Sequence, residues 1–434
     1  MRIGYTLNSA VADIVDNSIA AGAKTIEIFS PPGMSQPMIS ILDDGSGMSL
    51  EELTENMRIG CKDPDAERQK GDLGRFGSGM KTASFSQARC LTVISKRAGH
   101  PVVAASWDID DIEANDSWCL KVFDPVEVKG IEGLSSSFPV ESGTQLILSK
   151  LTFLETGSHA RDQDSEMAMR LAELKSYIAL HFHRFMSGSD KRSFTLNGAA
   201  ISPVDPFMIG ARGYQEGPSE NMRCKGGWVE IRTHVLPHFE KMTKRKLEEL
   251  GGADGIQKNQ GLYIYRGKRL IIAGDWLGMQ RSTPTGALAR IQVDIPSSLD
   301  NEWSTDVKKA SLQIPPKVKK KLRRFLADPV KRSKKTYNYR GKQEHANEYW
   351  KICENENTKT ITYQLNPDNN LLKSVLKDCN KSTQRELIDY LKQLAMGLPI
   401  HHIYEKMSER PRDINQEDVD FAAIEELIER VMKN

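Results

Sequence analysis

Three groups of residues in the first ninety positions have types and spacings that could do chemistry. Asp13 and Asn17 stand four apart, with Asp16 beside them. The apolar residues Leu7, Ala10, Val11 and Ile14 of the same segment recur at helical spacing. Helix positions four apart project from one face. A face of two carboxylates and an amide can hold a hard cation through oxygen while a carboxylate activates water. A plain solvated helix face would carry the same residues. Next, Met38-Ile-Ser-Ile-Leu42 reads as a strand running into Asp43-Asp44-Gly45-Ser46-Gly47. Asp43 at a strand end could accept a hydrogen bond from an exocyclic amine, with Gly45 and Gly47 leaving room for a flat ring. Asp-Gly is equally the chemistry of a tight turn. Third, Gly74, Gly77 and Gly79 precede a helix-like stretch that contains Lys81 and Thr82. Backbone amides of a glycine-rich loop at a helix N-terminus bind phosphate, and Lys81 could add a cation. This loop does not follow a strand, so a Rossmann-type dinucleotide fold is not expected.

These groups need elements to position them. The spacing predicts a helix over Thr6–Ala21, stopped by Gly22. Alternating or β-branched runs predict strands at Thr25–Ser30, Pro37–Asp43, Leu91–Lys96, Val102–Ile109, Trp118–Phe123 and Thr144–Leu151. The polar stretch Met57–Phe76 is too long for an idle connection and reads as a functional lid. A second region, 159–330, starts with a helix pattern over Ser165–Met186. Strands are expected at Ser193–Leu196, Trp228–Thr233, Gly261–Tyr265, Leu270–Ala273 and Ile291–Ile295, and a helix from Pro315–Pro316 to Leu326. The third region, 331–434, is richer in helix formers, with apolar helical spacing at Leu371–Leu376, Glu386–Leu394 and Ala422–Met432.

Composition limits the function classes. The 434 residues are 39% hydrophobic and 27% charged, as in soluble globular proteins with real cores. Lys and Arg number 60 against 58 Asp and Glu, so any nucleic-acid affinity must come from a local patch. No apolar run approaches the roughly 20 residues that span a bilayer, and the N-terminus lacks the features of a signal peptide. The expectation is a cytoplasmic protein with no membrane contact. The six cysteines form no CxxC pair and the nine histidines no HExxH, so free thiols and no zinc site are expected.

In order and spacing, DxxDN on a helix, DDGSG after a strand and GxxGxGMKT before a helix resemble the motifs of the GHKL ATPase superfamily. That superfamily includes gyrase B subunits, MutL, the ninety-kilodalton heat-shock chaperones, histidine kinases and MORC ATPases. The run 16–23 looks like the gyrase and MutL form of the first motif, and 76–84 looks most like the MORC branch, which also has a Lys after GxG. The run 141–148, Glu-Ser-Gly-Thr-Gln-Leu-Ile-Leu, is similar to the family's GT-plus-strand motif. The resemblance implies ATP and magnesium as cofactors. It assigns Asn17 to the magnesium ion, Asp43 to the adenine amine, Gly45 and Gly47 to the loop at the base, and Thr144 to a place beside Asp43. Gly74, Gly77, Gly79 and Lys81 would wrap the phosphates, and residues 57–80 would form the ATP lid. Asp13 takes the general-base position, which is usually Glu. Being one methylene shorter, it predicts binding more firmly than turnover, since a base must reach the water it activates. Met1 lies about a dozen residues before Asp13, ahead of which related proteins build an ATP-bound dimer contact. Either dimerisation differs here or the true start lies upstream.

The same resemblance implies a fold class of α+β type. Residues 1–158 would be a GHKL (Bergerat) ATP-binding α/β sandwich and 159–330 a βαβ transducer-like domain. Residues 331–434 would be a basic linker and a mostly helical C-terminal region. Phe194–Gly198 and Pro203–Phe207 resemble a strand and turn of a transducer, and Tyr263–Ile271 reads as a hairpin turning near Gly267, similar to a MORC segment. Lys309, with Lys308 second, is the candidate sensor of the γ-phosphate; a solvated basic turn would look alike. A histidine kinase would lack such a domain, so that class is set aside. Basic residues crowd 317–342, including Lys319, Lys320, Arg323, Arg324, Lys334 and Lys335, the best DNA-binding candidate, although a solvated helix and linker fits too. The expected function is an ATP-gated, homodimerising clamp linked to DNA, and prokaryotic relatives suggest repair, restriction or phage defence. A chaperone-like ATPase acting on proteins and an ATP-dependent scaffold with little hydrolysis are the alternatives.

Overall fold

Thr6 begins the order. Its hydroxyl accepts the Ser9 amide, and the Ser9 hydroxyl accepts the Thr6 amide, a reciprocal cap on helix α1 (Leu7–Ala20). Gly22, at φ +82°, lets the chain leave the helix into strand β1 (Thr25–Phe29). The computed structural model describes residues 5–31, 36–58, 79–154, 160–224, 227–299, 314–337, 350–355 and 360–409. The chain divides into two compact units, 1–337 and 338–434, and its class is mixed α+β.

The first part of unit one continues with β2 (Ile39–Asp43), α2 (Leu50–Met57), α3 (Gly79–Gln87), β3 (Ala88–Lys96), β4 (Val102–Asp108) and α4 (Ile109–Asn115). Then come β5 (Lys121–Phe123), β6 (Gly143–Leu151), α5 (Ala160–His181), β7 (Ser193–Leu196) and β8 (Ala199–Ala200). The strands form one eight-stranded sheet in the order β5-β4-β3-β6-β2-β1-β7-β8. All its pairs are antiparallel except β1 with β7. Val11 and Val15 of α1 and Leu174 and Ile178 of α5 bury their side chains with Ile26, Ile28, Ile41 and Leu148 of the sheet. Each such side chain, fully buried, contributes about 1.5–3 kcal/mol. Helices on one face of a sheet make this a layered α/β sandwich.

The second sheet uses β9 (Gln215–Cys224), β10 (Gly227–Val235), β11 (Gly261–Arg266), β12 (Arg269–Asp275) and β13 (Ala289–Ile295), in the order β12-β11-β13-β10-β9. Short helices α6 (Lys244–Glu249) and α7 (Gly252–Lys258) precede β11. Helix α8 (Pro316–Tyr337) covers the sheet through Val318, Leu322 and Leu326, packed with Val229, Ile231, Ile291 and Val293. Unit two, taken by itself, has a hairpin of β14 (Trp350–Asn355) and β15 (Thr360–Leu365), then α9 (Asn370–Asp378), α10 (Lys381–Met396) and α11 (Ile400–Glu409). Among the described residues no helix is long and apolar enough to cross a membrane.

Several elements differ from the expectation. Ser193–Leu196, read as part of the second region, pairs parallel to β1 and so belongs to the first sheet. Helix α5 also packs there, because Met167, Leu171, Leu174 and Ile178 form an apolar stripe facing α1 and the strands. The helix expected to end at Leu326 runs on to Tyr337, through Pro329, with Arg332 and Asp328 pairing one turn apart. Helix α2 was not expected, although Ser49 and Glu52 form its capping box, and the polar strand β9 lacked a hydrophobic signal. The helical pattern at Ala422–Met432 lies outside the described residues.

Candidate functional site

The site grows from the C-terminal half of α1 and the end of β2. Ser18, one residue after Asn17, turns inward and donates to Asp43 Oδ2 at 2.7 Å, while the Gly45 amide donates to Asp43 Oδ1 at 2.9 Å. The loop after β2 is laced to the turn after α1. Asp44 Oδ1 accepts the amides of Lys24 and Thr25, and the Ser46 amide donates to the Ala21 carbonyl at 3.0 Å. Thus α1 and the Asp43 loop form one hydrogen-bonded frame. Within it Asn17 is exposed, Asp13 is buried and accepts from the Tyr5 hydroxyl at 3.1 Å, and Asp43 is buried.

Burial raises the pKa of the Asp43 carboxyl above the ordinary 3.8, and outweighs the opposing hydrogen bonds from Ser18 and Gly45. A desolvated acceptor at a strand end suits a hydrogen-bond donor such as the amine of a purine. Thr144 pairs with Asp43 in the β2–β6 register. Its hydroxyl lies 2.8 Å from Ser95 Oγ, which also accepts the Met48 amide at 2.9 Å. One small polar chain therefore joins β6, β3 and the loop after Gly47.

The glycines of this loop have an internal reason to be glycine. At Gly47, φ is +62°, and a Cβ there would lie 1.7 Å from the Lys96 carbonyl oxygen. A Cβ at Gly45 would meet Ala21 Cβ and Asp43 Oδ1 at 2.9 Å each. They let the loop close onto α1 and β3. Gly143, which sequence reasoning passed over within the Glu-Ser-Gly-Thr run, does the same, since its Cβ would stand 2.3 Å from the Asp43 carbonyl oxygen.

Lys81 is buried on α3, and its ammonium donates to the carbonyls of Asn56, at 2.9 Å, and of Arg58. It thereby caps the C-terminal end of α2, where free carbonyls carry partial negative charge. Gly79 is the first residue of α3. Gly74, Gly77, Lys308 and Lys309, with nearly all of the expected lid, lie outside the described residues. The structure brings Asp13, Asn17, Asp43, Gly45, Gly47 and Thr144 into one neighbourhood. Sequence reasoning missed Ser18, Ser95, Gly143 and Tyr5; the position of Ser18 directly after Asn17 was the one usable signal. Among the described residues no cluster of three or more His, Cys, Asp or Glu could hold a metal by protein ligands alone. An exposed amide such as Asn17 can serve a magnesium ion that takes its remaining ligands from water and phosphate.

A buried carboxylate acceptor, an exposed amide on the adjoining helix and a carboxylate one turn earlier make up the candidate site on an α/β sandwich. Residues 5–144 match the family model described as histidine kinase-, DNA gyrase B- and HSP90-like ATPase. Over 91 residues the chain is 30% identical to the ATPase morc-1 of Caenorhabditis elegans. Over 94 residues it is 30% identical to the MORC family CW-type zinc finger protein 1 of Homo sapiens. Each match covers 21% of this chain and 10% of the relative, so the chain spans about a tenth of the length of these curated relatives. Residues 5–144 are therefore similar to the ATPase domains of the GHKL family, and MORC proteins are among the sequences that this part of the chain resembles. Among solved structures, the N-terminal domain of a DNA repair protein superposes with a TM-score of 0.46 at 15% identity, covering 74% of this chain and 93% of that one.

Proposed function

We propose that this protein is a magnesium-dependent ATPase that works as an ATP-gated, dimerising clamp acting on DNA. The observation that carries the reading is the Ser18–Asp43 bond, which locks the purine-reading carboxylate to the helix that bears Asp13 and Asn17. In this reading Asp43 and Thr144 receive the adenine and Asn17 holds the magnesium ion. Asp13 orients and deprotonates the attacking water. Lys309 or Lys308 supplies a cation to the γ-phosphate, and Gly74, Gly77, Gly79 and Lys81 line the phosphate end. A magnesium ion held by Asn17 would supply positive charge to the phosphates. Asp13 does its work only if α1 is set close enough to the phosphate, because a displacement of about 1 Å can cost on the order of a hundredfold in rate.

The DNA side of the proposal draws on α8. It buries Val318, Leu322 and Leu326 and exposes Lys320, Arg323, Arg324, Lys331, Lys334 and Lys335. A cationic helix face neutralises backbone phosphates without reading sequence. The test is ATP hydrolysis by the purified protein with and without duplex DNA, using Asn17→Ala as the blank. Turnover that rises with DNA and disappears in the variant is expected. Turnover indifferent to DNA but raised by unfolded proteins would favour the chaperone-like reading. Nucleotide-dependent dimers with no turnover would favour a scaffold.

A further inference from the structure

Asp16 lies on α1 between Asp13 and Asn17, yet it is buried from water. It is 1% exposed, and its Oδ1 lies 3.4 Å from Arg269 Nε. Arg269 is itself buried and opens β12, at the tip of the hairpin in the other sheet. The guanidinium has further contacts beside Asp16. Nη1 donates to the Leu270 carbonyl at 2.9 Å, and the guanidinium sits 3.9 Å from the Phe182 ring centroid. Nη2 reaches the Tyr177 hydroxyl at 3.5 Å. His181 stacks on Tyr177 with ring centroids 3.9 Å apart, and its Nδ1 lies 2.8 Å from the Leu270 carbonyl oxygen. One guanidinium therefore spans α1, α5 and the second sheet.

Such a pair is poorly explained by stability. Removing two charges from water usually costs as much as their attraction returns, so apolar substitutes are often as stable. Its distinctive property is geometric. Asp16 is one residue from Asn17 and three from Asp13, so anything that fixes Asp16 fixes the rotation and height of both side chains. We propose that Arg269 is a positioning residue for the nucleotide chemistry, setting α1 from the second sheet so that Asp13 and Asn17 meet the phosphates at working distance. This rests on the proposed ATPase reading. It also gives the two sheets a direct mechanical link, since a shift of the β11–β12 hairpin would move α1.

The test compares the parent with Asp16→Asn/Arg269→Met, a double variant that leaves no unpaired charge buried. Its thermal stability should return close to that of the parent, whereas Arg269→Met alone should be less stable. Two readouts are taken: ATP turnover, and the gain in affinity that magnesium gives a non-hydrolysable ATP analogue. The expected result is a folded double variant whose analogue affinity without magnesium stays within about threefold of the parent. Its turnover should fall by on the order of tenfold or more, and the magnesium gain should shrink. A double variant that recovers stability, turnover and the magnesium gain together would show the pair to be structural only and overturn the proposal. If the parent binds the analogue but does not turn over, the magnesium gain alone decides. A parent that fails to bind the analogue at all would overturn the ATPase reading and, with it, this inference; the parent's own titration tells the two failures apart.

Discussion

Asp43 is a carboxylate that the fold holds at a cost. Its folded pKa is raised by burial, so the protonated form is favoured in the folded state, and that advantage is lost as pH rises through the folded value. At neutral pH the ionised group is therefore a burden relative to a neutral isostere. Asp43→Asn keeps the shape. Its oxygen can accept the Gly45 amide, and its NH2 can donate to Ser18, whose hydroxyl then turns to the Ile14 carbonyl it already reaches at 3.4 Å. The variant should melt at or above the parent at pH 7, with the difference closing as pH falls toward 3.8. Its ATP affinity should nonetheless drop by roughly ten- to a hundredfold, the worth of a hydrogen bond to a charged group at about 1.5–3 kcal/mol. Thermal melts across pH together with binding titrations check both halves; a lower melting point with unchanged affinity would contradict them. At this scale residue type and spacing singled out Asp13, Asn17 and Asp43, and the structure places them on α1 and at the end of β2. The sequence did not show the bonds that Ser18 and Ser95 make, because a serine's partner across the fold leaves no trace in local spacing. Local spacing also could not show the internal reason for glycine at 45 and 47, where Ala21 and the Lys96 carbonyl fill the space of a side chain.

Elements meet along a seam of buried histidines. His181 bonds to the Leu270 carbonyl, His183 to the Tyr265 hydroxyl, and His234 to the Tyr214 hydroxyl and Gln292. Burial lowers His181 and His183 to about 3 and His234 to about 4, from an ordinary 6.5. A depressed folded value gives stability that is present above 6.5 and lost as pH falls toward 3–4, because each ring must charge on unfolding or be forced to charge in place. Unit one should accordingly melt at lower temperature as pH is taken from 7 to 5, and His183→Gln should flatten that slope. Equal slopes in the two proteins would count against this account of the seam. Helix α1 and the strands of the first sheet were legible because apolar periodicity and caps agree there. The polar strand β9 and the assignment of β7 to the first sheet were not. Pairing partners such as β1 and β7 lie far apart in sequence, and strand periodicity says nothing about which sheet a strand joins.

At the scale of the whole molecule, two sheets share unit one, the first with the candidate site and the second with the basic helix α8. The clamp reading asks ATP to set their relation. If α8 meets DNA through phosphates, binding should weaken with salt. Lys320→Glu/Arg324→Glu should then shallow the slope of log affinity against log salt by about 0.9 for each phosphate no longer neutralised. Salt-titrated binding of duplex DNA measures this, and an unchanged slope would exclude that face. The central claim is narrower: the frame of α1 and the Asp43 loop binds ATP through magnesium and Asn17. Calorimetric titration of ATP into the protein tests it most directly. The account predicts saturable binding, one nucleotide per chain, weakened by at least about tenfold, or 1.4 kcal/mol, when magnesium is withdrawn or Asn17 becomes alanine. No saturable binding, or equal affinity with and without magnesium in both proteins, would contradict it.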